Sequence, residues 1–213
     1  MTRELLSRLY LVAPARLRAG SLHELVAELA DAGVDLIQLR EKAVEAGDVV
    51  RLGRPIVAAC RAAGVPLIIN DRPDVALALG ADGVHVGQND IPIAVARRVV
   101  GDGMVGLSTH ARAEVDAAVT ARGPDRSDYI AVGPVHATPT KPGRPAVGLE
   151  LVRYAAERVD MPWFAIGGID EHTLDDVLDA GARRVVVLRA LANAPDPAAS
   201  AAALRARLEA VPV

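Results

Sequence analysis

Short runs of Val, Ile and Leu alternate with longer stretches of helical period along the whole chain. The runs are Arg8–Ala13, Asp35–Arg40, Pro66–Asn70, Gly83–Gly87, Met104–Ser108, Tyr129–Gly133, Trp163–Ile166 and Val185–Leu188. Between and after them, apolar residues recur every three to four positions. This spacing predicts helices over Leu22–Gly33, Asp48–Gly64, Pro73–Gly80, Ile91–Val100, Ala111–Arg122, Leu149–Val159, Glu171–Gly181 and Pro197–Ala210. Continuously apolar strands are buried on both faces, as in parallel sheets, and strict β–α alternation points to the same order. An Ala-Gly pair recurs before strands, at Ala32-Gly33, Ala63-Gly64 and Ala180-Gly181, where a glycine ends one helix and leads into the next strand. No linker or shift in composition divides residues 1–213. Eight strands and eight helices predict an α/β fold, one (β/α)8 TIM barrel forming a single domain. The alternative, an open doubly wound sheet, lacks its glycine-rich turn: Pro14-Ala15-Arg16 follows the first strand.

Composition narrows the chemistry. Of 213 residues, 51% are hydrophobic but only 2% aromatic. The core is therefore expected to be built from Ala, Val, Leu and Ile, and no stacking surface for single-stranded nucleic acid is expected. A net charge of −3 provides no basic footprint for nucleic acid or a membrane surface. Cys60 is the only cysteine, which excludes an internal disulfide and a cysteine-based zinc site; its Ala-rich helical setting predicts a packed, inert thiol. No run approaches the roughly 18 apolar residues of a membrane span. The first ten residues carry charges within their apolar run, unlike a signal peptide. A cytoplasmic protein acting on small molecules is expected.

In a barrel, chemistry gathers at the C-terminal ends of strands. The second strand ends in Gln38-Leu39-Arg40-Glu41-Lys42, with Gln38, Arg40 and Lys42 on one face. Buried amide and guanidinium groups need a ligand or a partner; an Arg40–Asp71 salt bridge is the structural alternative. Asp71 and Asp90 end the third and fourth strands. Two neighbouring carboxylates suit Mg2+, which completes its shell with phosphate and water, although both residues also stand in helix-capping contexts. The fifth strand ends in Ser108-Thr109-His110. Ser108 suits a phosphate contact or a helix cap, and His110 a proton shuttle or a helix start. No G-x-S-x-G elbow is present. His85 reads as structural, His136 is open, and His23 and His172 read as surface residues. After the sixth strand, Pro134, Pro139 and Pro142 stiffen a loop carrying Thr138, Thr140 and Lys141, suited to an anion. Gly167-Gly168 and Leu188-Arg189-Ala190 end the last two strands, where barrels often bind phosphate. The cations imply a pyrophosphate, the glycines a second phosphate, and no base or nucleophile is evident. Together they suggest a transfer with pyrophosphate as leaving group.

The ordered set Q-L-R-E-K (38–42), I-N-D (69–71), A-D-G-V-H-V-G-Q-N-D (81–90), G-L-S-T-H (106–110), G-P-V-H-A-T-P-T-K (133–141) and A-I-G-G-I (165–169) resembles the thiamine phosphate synthase family over essentially the whole chain. The resemblance implies a (β/α)8 barrel that joins a hydroxymethylpyrimidine pyrophosphate to a hydroxyethylthiazole phosphate, releasing pyrophosphate. It assigns Gln38, Leu39, Arg40, Glu41, Lys42, Asn70, Ser108 and Lys141 to the pyrimidine pyrophosphate. It assigns Thr138, Pro139, Thr140, Gly168, Leu188 and Arg189 to the thiazole phosphate, and Asp71 and Asp90 to Mg2+. Arg40, Lys42 and Lys141 would be catalytic. Arg189 departs from the serine that many members have after the last strand, and His136-Ala137 replaces an aromatic-containing step. A thiazole tautomerase of the sister group and a non-catalytic regulator binding thiamine precursors are the competing readings.

Overall fold

The computed structural model describes residues 8–138 and 145–212. Eight parallel strands close a barrel: β1 (Leu9–Ala13), β2 (Leu36–Leu39), β3 (Leu67–Asn70), β4 (Gly83–Val86), β5 (Met104–Thr109), β6 (Tyr129–Val132), β7 (Trp163–Ile166) and β8 (Val185–Val187). Each strand pairs with its sequence neighbours, and β8 closes on β1 through Leu9, Tyr10 and Leu11. Around them lie α1 (Leu22–Asp31), α2 (Ala46–Ala63), α3 (Pro73–Leu79), α4 (Ile93–Val100), α5 (Arg112–Thr120), α6 (Gly148–Arg158), α7 (Leu174–Asp179), α8 (Arg189–Ala192) and α9 (Pro197–Glu209). The four-residue α8 falls where the sequence predicts only a strand end, and a two-residue ribbon (Arg16–Leu17 with Gly20–Ser21) follows β1. Both are too short to leave a periodic signal. α7 is shorter than predicted at both ends. Among the described residues, no helix is long and apolar enough to cross a membrane.

Strand parity sorts the side chains into two cores. Outward residues such as Leu11, Ile37, Leu39, Ile69, Val84 and Val105 pack under the helices, in the aliphatic layer that the composition predicts. The barrel interior is different. Tyr10, Tyr129 and Phe164, three of the five aromatic residues in the chain, meet edge to face there, with ring centroids 5.4–6.0 Å apart. Scarce aromatic residues are concentrated where a closing barrel has the most volume to fill. Cys60 is buried on α2, and burial together with the Asp82 charge pushes its thiol up to about 12, so it stays protonated and inert.

The strand entrances share a device. The aspartates immediately before β2, β4 and β6 reach back to an N–H in the first two residues of the preceding strand. Asp35 accepts from Leu9 N (3.1 Å), Asp82 from Leu67 N (2.8 Å) and Asp128 from Val105 N (2.7 Å). Each satisfies a donor that the sheet ladder leaves open. The end of the barrel opposite the proposed chemistry is thus held by repeated backbone capping.

Candidate active site

At the C-terminal end of the barrel the strands frame a cavity in two parts. A small inner chamber of about 60 Å³ sits on the aromatic floor, between Gln38, Arg40, Asn70, His85 and Ser108. A larger outer chamber of about 290 Å³ opens between the loops after β5, β6, β7 and β8, lined by His110, Thr138, Gly168 and Arg189 among others. Ser108, Ile166, Val186 and Leu188 border both, so the chambers adjoin.

The ends of β2, β3 and β4 carry the charges. The Lys42 ammonium pairs with the Asp71 carboxylate. Arg40 lines the inner chamber and forms no ion pair among the described residues, so the Arg40–Asp71 alternative gives way to a Lys42–Asp71 pair. Asp71 adopts a φ of 60°, a left-handed conformation that aspartate tolerates better than most residues. Its N–H donates to His85 O (2.8 Å). Burial works against its charge, but Lys42, by hydrogen bond and by charge, and hydrogen bonds with Asp90 and Asn70 hold the carboxyl below the ordinary range. Asp90 accepts from Gly87 N at 2.7 Å. Neither aspartate caps a helix: α3 is capped at Arg72 and α4 at Pro92, without side-chain capping bonds. Two hydrogen-bonded carboxylates with one lysine beside them form an all-oxygen donor set that fits Mg2+. Among the described residues no third His, Cys, Asp or Glu joins them; Mg2+ usually completes its shell with water and phosphate.

The opposite wall is main chain. Val135 N donates to Ile166 O (2.8 Å) and His136 N to Gly167 O (3.0 Å), extending the β6–β7 pairing past the strands. This approach requires glycine. A Cβ at Gly133 would lie 2.0 Å from Ile166 O, and one at Gly168 (φ 65°) would lie 2.7 Å from the His136 Cβ. Thr173 Oγ1 donates to Gly168 O (3.0 Å), and Asp170 accepts from His172 N and Thr173 N, fixing the β7 loop. His110 holds Gly133 O through Nδ1, and its own N–H donates to Glu114 (2.6 Å).

Beneath the inner chamber runs a chain of buried side chains. Gln38 Nε2 donates to Tyr10 OH (2.5 Å), Tyr10 OH meets Tyr129 OH (3.0 Å), Tyr129 OH meets His85 Nδ1 (3.2 Å), and His85 Nε2 meets Ser108 Oγ (2.9 Å). Burial pushes the Tyr10 hydroxyl upward despite its bonds to Tyr129 and Gln38, and burial and the adjacent Tyr10 push Tyr129 upward too, so both stay neutral.

A family model described as thiamine monophosphate synthase matches residues 9–191. The chain belongs to the thiamine monophosphate synthase family. A thiamine-phosphate synthase from Acidothermus cellulolyticus is 53% identical over 206 residues, covering 96% of each chain. One from Thermus thermophilus is 51% identical over 208 residues, covering 96% of this chain and 98% of its own. The solved thiamine phosphate pyrophosphorylase from Pyrococcus furiosus superposes with a TM-score of 0.86 at 30% identity, covering 98% of both chains. A 3-hexulose-6-phosphate synthase, at 23% identity and TM-score 0.63, shares the fold alone.

Of the residues that the thiamine monophosphate synthase motifs single out, the structure gathers Gln38, Arg40, Asn70 and Ser108 around the inner chamber. Thr138, Gly168, Leu188 and Arg189 line the outer one, and Lys42, Asp71 and Asp90 lie in the loops that follow β2, β3 and β4. Two side chains of the first motif point elsewhere. Leu39 is buried between sheet and helices, and Glu41 accepts from Ala15 N (2.7 Å), bracing the loop after β1. Pro139, Thr140 and Lys141 lie outside the described residues. Ser108 is no helix cap, since α5 is capped at Ala111. Tyr10, Tyr129 and Asp170 are not among the candidate residues of the sequence, and Pro134 figures there only as a residue that stiffens the loop after β6. For the tyrosines a signal existed: a polar-tipped ring at inward parity in a chain with almost no aromatic residues.

Proposed function

We propose that this chain is a thiamine phosphate synthase, a transferase that joins the pyrimidine methylene of a pyrimidine pyrophosphate to the nitrogen of a thiazole phosphate and expels pyrophosphate. The observation that carries the reading is the pair of adjoining chambers. Arg40 lines the inner one, with the Lys42–Asp71 pair in the loops after β2 and β3, and Gly167, Gly168 and Arg189 line the outer one.

The reaction follows from that arrangement. The pyrimidine ring occupies the inner chamber against Gln38, leaving its pyrophosphate near Ser108, Arg40 and Lys42. As the carbon–oxygen bond breaks, negative charge grows on the leaving group while the electron-rich ring spreads the positive charge left on the methylene. Arg40 and Lys42 stabilise the departing pyrophosphate, and Lys141 is assigned the same role by its motif. This electrostatic contribution is generally the largest in catalysis. Asp71 and Asp90 would hold Mg2+, which when bound supplies further positive charge to the leaving group. In the outer chamber Gly168, Thr138 and Arg189 hold the thiazole phosphate, a role their motif assigns to Pro139 and Thr140 as well, so that its ring nitrogen faces the methylene. Holding the two reactants together converts a bimolecular encounter into a local one, and apolar Ile166 and Leu188 keep water from the cation. No general base is needed.

The test is pyrophosphate release by the purified protein with both phosphorylated heterocycles and Mg2+, omitting each in turn. Release that needs all three, with thiamine phosphate formed in equal amount, is expected. Binding of both heterocycles without release would overturn the reading in favour of a tautomerase or a regulator.

A further inference from the structure

The buried chain from Gln38 to Ser108 spans the barrel, and both ends face the inner chamber. Its middle members, Tyr10, Tyr129 and His85, are links that each accept one hydrogen bond and donate another. Such a chain has two self-consistent directions. In one, Gln38 Nε2 donates to Tyr10, Tyr10 to Tyr129, Tyr129 to His85 Nδ1, and His85 Nε2–H to Ser108. Ser108 then has its hydrogen free for a ligand, and Gln38 presents its carbonyl oxygen. In the other, Ser108 donates into the chain, the imidazole hydrogen sits on Nδ1, and Gln38 turns its NH2 to the chamber. Both states hold one hydrogen on each hydroxyl and one on the imidazole, so they differ in no net charge. Mixed states leave two donors or two lone pairs facing each other in a dry interior, which is costly.

We propose that these five side chains act as one polarity-coupled unit, in which a ligand oxygen accepting from Ser108 obliges Gln38 to present an acceptor on the far side of the chamber. Tyr10, Tyr129 and His85 then act through the chain as positioning residues, Tyr10 and His85 from the chamber floor and Tyr129 from behind it. The structure is built around this chain. Gly106 leaves the space in which His85 and Tyr129 meet, since a Cβ there would lie 2.5 Å from both His85 Nδ1 and Tyr129 OH. The edge-to-face packing of Tyr10 and Tyr129 with Phe164 fixes the rings. The inference rests on the synthase reading for the identity of its ligand. An anionic oxygen at Ser108 locks the Gln38 carbonyl outward, which accepts an amino group on the ring and rejects a ring oxygen at the same place. The chain thereby links recognition of the phosphorylated arm to recognition of the ring.

Tyr10→Phe removes one link and keeps the ring packing; Tyr129→Phe breaks the next link and guards against a folding defect in the first. Two readouts are needed. The first is the preference, in kcat/KM, for the aminopyrimidine pyrophosphate over its oxo counterpart. It is expected to fall about tenfold in either variant, the worth of one mismatched buried hydrogen bond. The second is the 15N spectrum of His85 and of the Gln38 side-chain amide, with inorganic pyrophosphate and Mg2+ as the probe. In the wild type both respond; in Tyr10→Phe the His85 signal still moves and the Gln38 signal does not. An unchanged preference with both substrates slowed alike, or a Gln38 response that survives Tyr10→Phe or is missing in the wild type, overturns the coupling. Loss of the synthase reading shows separately, as no pyrophosphate release by the wild type, and leaves the inorganic pyrophosphate experiment to decide the coupling.

Discussion

Replacing Gly106 by alanine puts the interior of the barrel to a direct test. On backbone grounds the change should help, because Gly106 lies inside β5 without a positive φ and glycine in a strand is worth about 0.5–1 kcal/mol less than alanine. Sterics oppose it. The added carbon would sit 2.2 Å from Tyr129 Cζ and 2.5 Å from His85 Nδ1 and Tyr129 OH, where ordinary contact begins near 3.4 Å. One partner must therefore retreat by about an ångström. Neither is the loose end of a flexible side chain: Tyr129 is wedged between Tyr10 and Phe164, and His85 is held by Ser108. Overpacking of this kind costs about 1–3 kcal/mol. Pulling His85 from Tyr129 leaves buried polar atoms without partners, at about 1–3 kcal/mol more. After the backbone gain, a net loss of about 1–5 kcal/mol is expected. Denaturant unfolding followed by circular dichroism measures it as a lower midpoint at unchanged slope. A loss below about 0.5 kcal/mol would refute the reasoning, because it would mean that the aromatic floor yields freely and that no fixed geometry joins His85 to Tyr129.

Three further outcomes follow from the site. Asp90→Asn leaves unfolding nearly unchanged but raises the Mg2+ concentration needed for half-maximal pyrophosphate release by about tenfold or more; an unaltered Mg2+ dependence would remove Asp90 from the metal site. The Asp71 carboxyl is held below its ordinary value, so its contribution to stability is complete above the unfolded pKa, about 4, and is lost as pH falls through the lowered folded value. Asp71→Asn should therefore flatten the acid limb of a plot of unfolding midpoint against pH, and a limb of unchanged steepness would contradict the assignment. Arg189→Ala should raise the KM for the thiazole phosphate roughly 10- to 100-fold with little change in kcat, as for a lost charge-assisted phosphate contact; a fall in kcat alone would place Arg189 elsewhere.

The alternation of apolar runs and helical stretches made the barrel legible, because strands buried on both faces cannot disguise themselves as anything else at that length. The ends of those strands were legible for the same reason. Once parity is known, Gln38, Arg40, Asn70 and Ser108 must share the interior side. What parity cannot reach is the fate of a residue just past a strand. Glu41 continues the Q-L-R-E-K motif in sequence, yet turns to brace Ala15 N, and Lys42 rather than Arg40 takes Asp71. Those choices depend on loop backbone angles, among them the positive φ of Ala43 and Asp71, which local sequence leaves open. The tyrosine–histidine chain was hidden differently. Each member reads alone as a core residue, and only closure of β1 against β2 and β8 brings Tyr10 across the barrel to Tyr129.

The wall formed by the β6 and β7 loops has a consequence for how this site can change over time. Its contour comes from backbone pressed on backbone, through Val135, His136, Ile166 and Gly167. Ordinary substitution cannot reshape such a surface gradually, because the first atom added at Gly133 or Gly168 already collides. Drift in substrate preference is therefore confined to the positions that present side chains to the outer chamber, such as Thr138, Leu188 and Arg189. Arg189 thus stands at one of the few places where the architecture leaves variation free.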